Sequence, residues 1–301
     1  MSGPAAPGSG PKALGPAAVA IMLGLCVIWG MGQIAIKFGN QGISPMWQAG
    51  LRSVGATCLL LLWMRLRGIS LRGIPGLLRW RLALGLTFAA EFVCMYIGLG
   101  MTTAAHGTVL IYSAPFVVAM GGHWLLGERL STVRWIGLVL AFIGLGVAIS
   151  GRPVQGGPQA SLAGDLLCLA AGVGWALTTL IVRGTGLRDE RPERTLFDQL
   201  AVSAPVLMAI SWAMGEPGIF APSPTVWLAF AYQTVMVATL SYLTWFVMVQ
   251  RYSPASVSAF AFMTPIFGVA FAVLLLGETA TPTLLIALAL VATGLRLVNR
   301  P

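Results

Sequence analysis

Ten apolar stretches, separated by short polar punctuation, run the length of this chain: 17–37, 45–65, 80–99, 104–125, 132–150, 162–182, 196–214, 224–250, 254–276 and 281–298. A bilayer core about 30 Å thick is crossed by roughly 20 helical residues. Each stretch therefore has the length of a span. In lipid every backbone N–H and C=O must find a partner within the protein, and a continuous apolar run does that as a helix. The composition agrees, with 57% hydrophobic and only 9% charged residues, against roughly a quarter charged in soluble domains. The expected fold is an all-α membrane protein of ten transmembrane helices. Turn signals such as Ile43-Ser44-Pro45 and Tyr252-Ser253-Pro254 precede the second and ninth runs.

The formal net charge of +9 does not point to nucleic acid, because the cations cluster in short connections, as membrane orientation requires. One set of alternate connections holds Lys12, Arg65, Arg67, Arg72, Arg79, Arg81, Arg129, Arg134, Arg183, Arg188, Arg191, Arg194, Arg251, Arg296 and Arg300, and the other only Lys37 and Arg152. Both termini are expected in the cytoplasm. Residues 1–16, rich in Gly, Pro and Ala, are expected to form a disordered lead. The first run is too long for a signal-peptide core and is read as an uncleaved span. The four cysteines, Cys26, Cys58, Cys94 and Cys168, all lie in apolar runs without metal or redox spacing.

The chain repeats itself. A shift of 150 lays Ala104 to Pro115 with Gly127-Glu128 on Pro254 to Pro265 with Gly277-Glu278, and Gly144-Leu145 on Gly294-Leu295. A shift of 146 lays Trp29 on Trp175 and Lys37 on Arg183. Two units follow, 17–150 and 151–301, each of five helices. An odd number of spans per unit gives the two halves opposite topology, so the expected plan is two inverted five-helix repeats with a substrate site near mid-membrane.

These residues resemble the drug/metabolite transporter superfamily, and within it the EamA-type exporters of bacterial inner membranes. The landmarks are Ile28-Trp29-Gly30 followed by Lys37, Ser44-Pro45 with Arg52, and Ala114-Pro115-Phe116 leading to Leu126-Gly127-Glu128-Arg129. The second copy reads Gly174-Trp175, Arg183, then Thr264-Pro265-Ile266 leading to Leu276-Gly277-Glu278. The resemblance implies a central cavity, alternating access and outward movement of metabolites across the inner membrane, and names no substrate. At the position matching Arg52 the second half carries Asp198, a change of sign.

Ionisable groups inside spans are costly and usually face protein or water. Arg52 and Glu91 are expected at compatible depths, either as a proton-coupling or amine-binding carboxylate with its partner or as a structural ion pair. His106 is a candidate proton relay or an interfacial residue. His123 reads as interfacial, and Asp198 as a coupling group or a helix N-terminal charge. Trp29 and Trp175 lie well inside their helices, each with an apolar face and one N–H donor suited to an organic substrate. Gln33 follows Trp29 by one turn, and Tyr96, Tyr112, Tyr242 and Trp245 are further cavity candidates. Pro115 and Pro265 should kink their helices. Gly144 and Gly294 mark close helix packing, as scaffold or as a face for a homodimer.

Walker A, H-E-x-x-H and G-x-S-x-G motifs are absent. No catalytic residue, cofactor or metal is expected, and the expected partners are a small-molecule substrate and the lipid bilayer. Transport would run on a proton gradient or on exchange. The alternatives are an exchanger of phosphorylated or nucleotide-linked sugars, which needs more cavity cations than Arg52, a lipid-acting enzyme built on Glu91 and His106, and a passive channel.

Overall fold

The computed structural model describes residues 15–151, 161–251, 260 and 263–298. Residues 1–14 of the proposed N-terminal lead, with Lys12, as well as Arg152, Arg300 and the Tyr252-Ser253-Pro254 turn, lie outside them. The described residues form helices α1 (Pro16–Gly39), α2 (Pro45–Leu66), α3 (Leu78–Met101), α4 (Ala104–Ile111), α5 (Ala114–Leu125), α6 (Thr132–Ser150), α7 (Leu162–Gly184) and α8 (Pro192–Ala213). There follow α9 (Pro224–Ala231), a π-helical segment Tyr232–Ser241, α10 (Tyr242–Arg251), α11 (Met263–Leu276) and α12 (Pro282–Val298). Among the described residues, eight helices are long and apolar enough to cross a membrane, taking α4 with α5 and α9 with the π segment as single spans. α11 and α12 are shorter apolar helices.

Start signals are local. Pro begins α1, α2, α8, α9 and α12, where its missing N–H costs nothing. Thr103, Ser131, Ser161 and Ser223 cap α4, α6, α7 and α9 with side-chain oxygens. Gly127 and Gly277 adopt φ of 71° and 65° just beyond α5 and α11. In both turns the following glutamate N–H folds back onto the helix, Glu128 to Gly122 O at 3.0 Å and Glu278 to Ala272 O at 3.2 Å.

Two spans differ from expectation. The run 104–125 is two helices with a break at Tyr112-Ser113, so Pro115 sits in the first turn of α5 and does not kink a continuous helix. A proline at 115 denies Ile111 O its i+4 donor, and α7 comes close there: a Cβ on Gly172 would lie 2.8 Å from Ile111 O. The eighth run widens into the π segment, where Thr239 Oγ1 donates to Thr234 O five residues earlier, at 2.9 Å. Pro205, inside α8, carries the interior-proline role that the sequence had suggested for Pro115. Pro265 stands in the first turn of the described part of α11.

α6 and α12 pack on each other through glycine. A Cβ on Gly137 would lie 2.8 Å from Gly294 O, and one on Gly144 would lie 2.9 Å from Leu290 Cβ. These glycines serve the contact of α6 with α12 within the chain. The two ends of the bundle are set by chain contacts. Ser161 N–H bonds Met101 O at 3.1 Å, and Glu278 accepts from Ala104 N–H, so the α3–α4 turn, the start of α7 and Glu278 share one end. Arg183, near the far terminus of α7, lies at the other.

Candidate functional site

A cavity of about 330 Å³ lies between the helices. α1 supplies Trp29, Gly32, Gln33 and Ile36, α2 supplies Arg52, α3 supplies Glu91, Phe92 and Met95, and the α4–α5 break supplies Ile111, Tyr112, Ala114 and Pro115, with Val118 below it. α7 contributes Trp175 and Thr179, and the eighth span contributes Gln233, Val237, Tyr242 and Trp245. The helix break and the π segment thus both border the cavity, where irregular backbone is tolerated in a membrane protein.

The walls are aromatic and come in pairs that join distant parts of the chain. Trp29 meets Trp245 edge-on at 5.2 Å between ring centroids, and Tyr112 meets Trp175 at 5.5 Å and 89°. The Trp29 N–H is already used, donating to Ser241 Oγ at 2.8 Å. It presents an apolar face only, contrary to the expectation of a free donor.

Arg52 and Glu91 are both buried, at 3% and 4% exposure, and both line the cavity. Neither enters an ion pair within 4.0 Å among the described residues. The structural ion pair, one of the two readings of these residues, is not formed within that distance. The Arg52 guanidinium instead lies 3.9 Å from the Phe92 ring centroid, a cation–π contact. Its Nε and Nη2, with Glu91 Oε2 and Gln33 Oε1, have no hydrogen-bond partner among the described residues. Such groups are expensive to bury unmatched. These two donors and two acceptors belong to three side chains that line one cavity.

Three expected residues stand elsewhere. Tyr96 is fully buried behind the wall, and its hydroxyl donates to Gln233 Oε1 at 2.5 Å. Gln233 Nε2 donates in turn to Ala35 O at 2.9 Å and Gln48 Oε1 at 2.7 Å. One carboxamide therefore ties α1, α2 and α3 to the π segment. His106 does not line the cavity, because its Nδ1 lies 3.5 Å from Asp165 Oδ2, in a buried cluster that includes Thr102. Asp198 is held by Arg81 at 3.3 Å and Arg194 at 2.7 Å, outside the cavity. His123 bonds Glu128 O at 2.6 Å near the end of α5.

Sequence reasoning passed over Gln233, Phe92 and Asp165. Gln233 and Asp165 carried a usable signal, since each is a polar residue inside an apolar run, as Gln33 is. Phe92 had none, because an aromatic beside Glu91 in an apolar helix is indistinguishable from packing.

Comparison with known proteins decides the family. The model of the EamA-like transporter family matches this chain twice, over residues 16–150 and 162–300. The chain belongs to the EamA-like transporter family. Among its relatives, the uncharacterized inner membrane transporter YedA of Escherichia coli is 26% identical over 92% of this chain and 89% of its own length. A probable amino-acid metabolite efflux pump of Salmonella typhimurium is 28% identical over 89% of this chain and 90% of its own length. A protein of known crystal structure is similar in fold, with a TM-score of 0.67 at 18% identity, covering 93% of this chain and 96% of that one. This EamA-like protein is a multi-pass membrane transporter by family, and its cavity is the place where its own chemistry has to be sought.

Proposed function

We propose that this protein is a secondary active transporter of the bacterial inner membrane that exports small polar metabolites of amino-acid type by alternating access. In this reading ten spans form two inverted five-helix repeats, 17–150 and 151–301, with both termini cytoplasmic by the distribution of Lys and Arg. The matched Gly-Glu turns at 127–128 and 277–278, at opposite ends of the bundle, support the inversion.

The observation that carries the substrate reading is the set of unmatched groups in the cavity. Arg52 offers donors to a carboxylate, Glu91 Oε2 and Gln33 Oε1 accept from an amine, and the indoles and tyrosines hold an apolar side chain. The relative named as a probable amino-acid metabolite efflux pump agrees with that chemistry. Arg52 is the one Lys or Arg in the described lining, which disfavours an exchanger of phosphorylated sugars. His106 paired with Asp165 leaves Glu91 without the partner a lipid-acting enzyme would need.

Counterflow in proteoliposomes tests the reading with one amino acid bearing a large apolar side chain, its decarboxylated amine and its deaminated acid. The zwitterion is expected to exchange, and each analogue to compete at least about tenfold less well, since an unmatched charged group costs about 1.5–3 kcal/mol. Arg52→Gln should narrow the gap between zwitterion and amine, and Glu91→Gln the gap between zwitterion and acid. Equal competition by all three compounds would overturn the dipolar site. If Glu91 also carries the coupling proton, Glu91→Gln abolishes gradient-driven flux while exchange partly survives, and undiminished driven flux removes that role.

A further inference from the structure

Each half of the chain carries one cation near the end of its first long helix, Lys37 in α1 and Arg183 in α7. Each also carries one glutamate just past a left-handed glycine, Glu128 after Gly127 and Glu278 after Gly277. These are the positions that superpose under the internal shifts of 146 and 150. The pairing is exchanged between halves: Lys37 Nζ lies 3.9 Å from Glu278, and Arg183 pairs with Glu128. The two pairs sit at opposite ends of the bundle, each joining one half to the other.

They differ in what surrounds them. The Lys37 and Glu278 side chains are 18% and 3% exposed, and Glu278 also accepts from Ala104 N–H at 2.7 Å and Ala105 N–H at 2.9 Å at the start of α4. A carboxylate on a helix N-terminus with a nearby cation is strongly held. Beside it, the Gln233 carboxamide ties α1, α2 and α3 to the π segment, and Glu216 accepts from Met46 N–H at 3.2 Å and Trp47 N–H at 3.0 Å. Arg183 and Glu128 are 39% and 47% exposed, and a solvated pair of that kind stabilises little. The cavity reaches Gln33 and Ile36, one turn or less from Lys37, while a separate pocket at that end is lined by Lys37, Asn40, Leu99 and Glu278 and shares no lining residue with it.

We propose that Lys37–Glu278 and Arg183–Glu128 are opposing latches of one conformational equilibrium, the first holding its end closed in this state and the second gaining its burial when the opposite end closes. This rests on the transporter reading, because only a protein that opens at both ends needs two. The consequence is specific: removing one latch biases the protein one way, removing the other biases it the opposite way, and removing both restores part of the balance. A merely structural ion pair would give additive loss of stability with no compensation.

The experiment uses full-length protein with Cys26, Cys58, Cys94 and Cys168 replaced by alanine and Ile36→Cys as the reporter, labelled with a membrane-impermeant maleimide from each face of oriented vesicles. Glu278→Gln should speed labelling from the Lys37 end roughly tenfold, the scale of a lost charge-assisted bond, and Lys37→Gln should act in the same direction. Glu128→Gln should slow it, and the double variant Glu128→Gln with Glu278→Gln should fall between the singles. Lys37→Gln is the deciding variant if Glu278→Gln is not monodisperse. Labelling of the parent from both faces with no change in any variant overturns the latches and leaves the transport reading intact. Labelling from one face alone in every protein overturns the two-ended transport reading itself.

Discussion

Trp29 shows how a residue in the cavity wall can be held by the same contacts that define it. Its indole N–H is committed to Ser241, and its ring stands against Trp245. Trp29→Phe keeps an aromatic face but removes the donor, and should lower stability by about 1 kcal/mol, the usual net worth of a neutral hydrogen bond. Ser241→Ala should cost a similar amount, and the double variant little more than either alone, because both remove one bond. Thermal unfolding in detergent reads this, and an additive loss in the double variant would contradict the shared bond. The residues now found in the cavity were legible because a polar or ionisable group inside an apolar run needs a reason to be there. Arg52, Glu91 and Gln33 met that test and share the site. The same signal marked His106 and Asp198, yet Asp165 and Arg81, which hold them, come from other helices, and only Arg194, four residues from Asp198, shares its helix. No spacing within one run discloses a partner that tertiary packing delivers.

At the scale of elements, the two irregular spans are the least legible and border the cavity most closely. Pro115 announced a disturbance, but its consequence is set by what lies opposite. α7 presents Gly172 to the break, where a Cβ would crowd Ile111 O and also meet Ser113 Oγ. Gly172→Ala should therefore destabilise the fold by about 1–3 kcal/mol, the range for overpacking a close contact, whereas Gly146→Ala, with open space around its Cβ position, should not. Thermal unfolding of the two variants side by side checks the contrast, and equal midpoints would show that the break can relax. The π segment has no sequence signature at all. Its residues read as ordinary apolar helix, and its wider turn coincides with bonds made outward: Tyr232 hydroxyl to Ile28 O at 3.0 Å, Gln233 to three partners, and Trp29 to Ser241. Gln233→Leu would strand the Tyr96 hydroxyl and Gln48 Oε1 in the interior. A loss of about 2–3 kcal/mol is expected from such unmatched groups, measured by the same unfolding.

For the whole molecule, the described helix lengths and the internal repetition lead to different counts of spans. α11 is described over 14 residues and α12 over 17, each running to the limit of the described residues at 263 and 298. The proposed repeat would have both cross, because they match α5 and α6 in sequence, and α12 packs along α6 through their facing glycines. The inverted plan then makes a demand that length alone does not. Arg129 and Thr279 follow the matched glutamates, both are exposed, and their turns lie at opposite ends of the bundle. In the four-alanine background, Arg129→Cys should be labelled by an impermeant maleimide only from the cytoplasmic face and Thr279→Cys only from the outer face. Labelling of both from one face would mean that the two halves run in the same sense, and the similarity of their Gly-Glu turns would then reflect local helix capping without inversion.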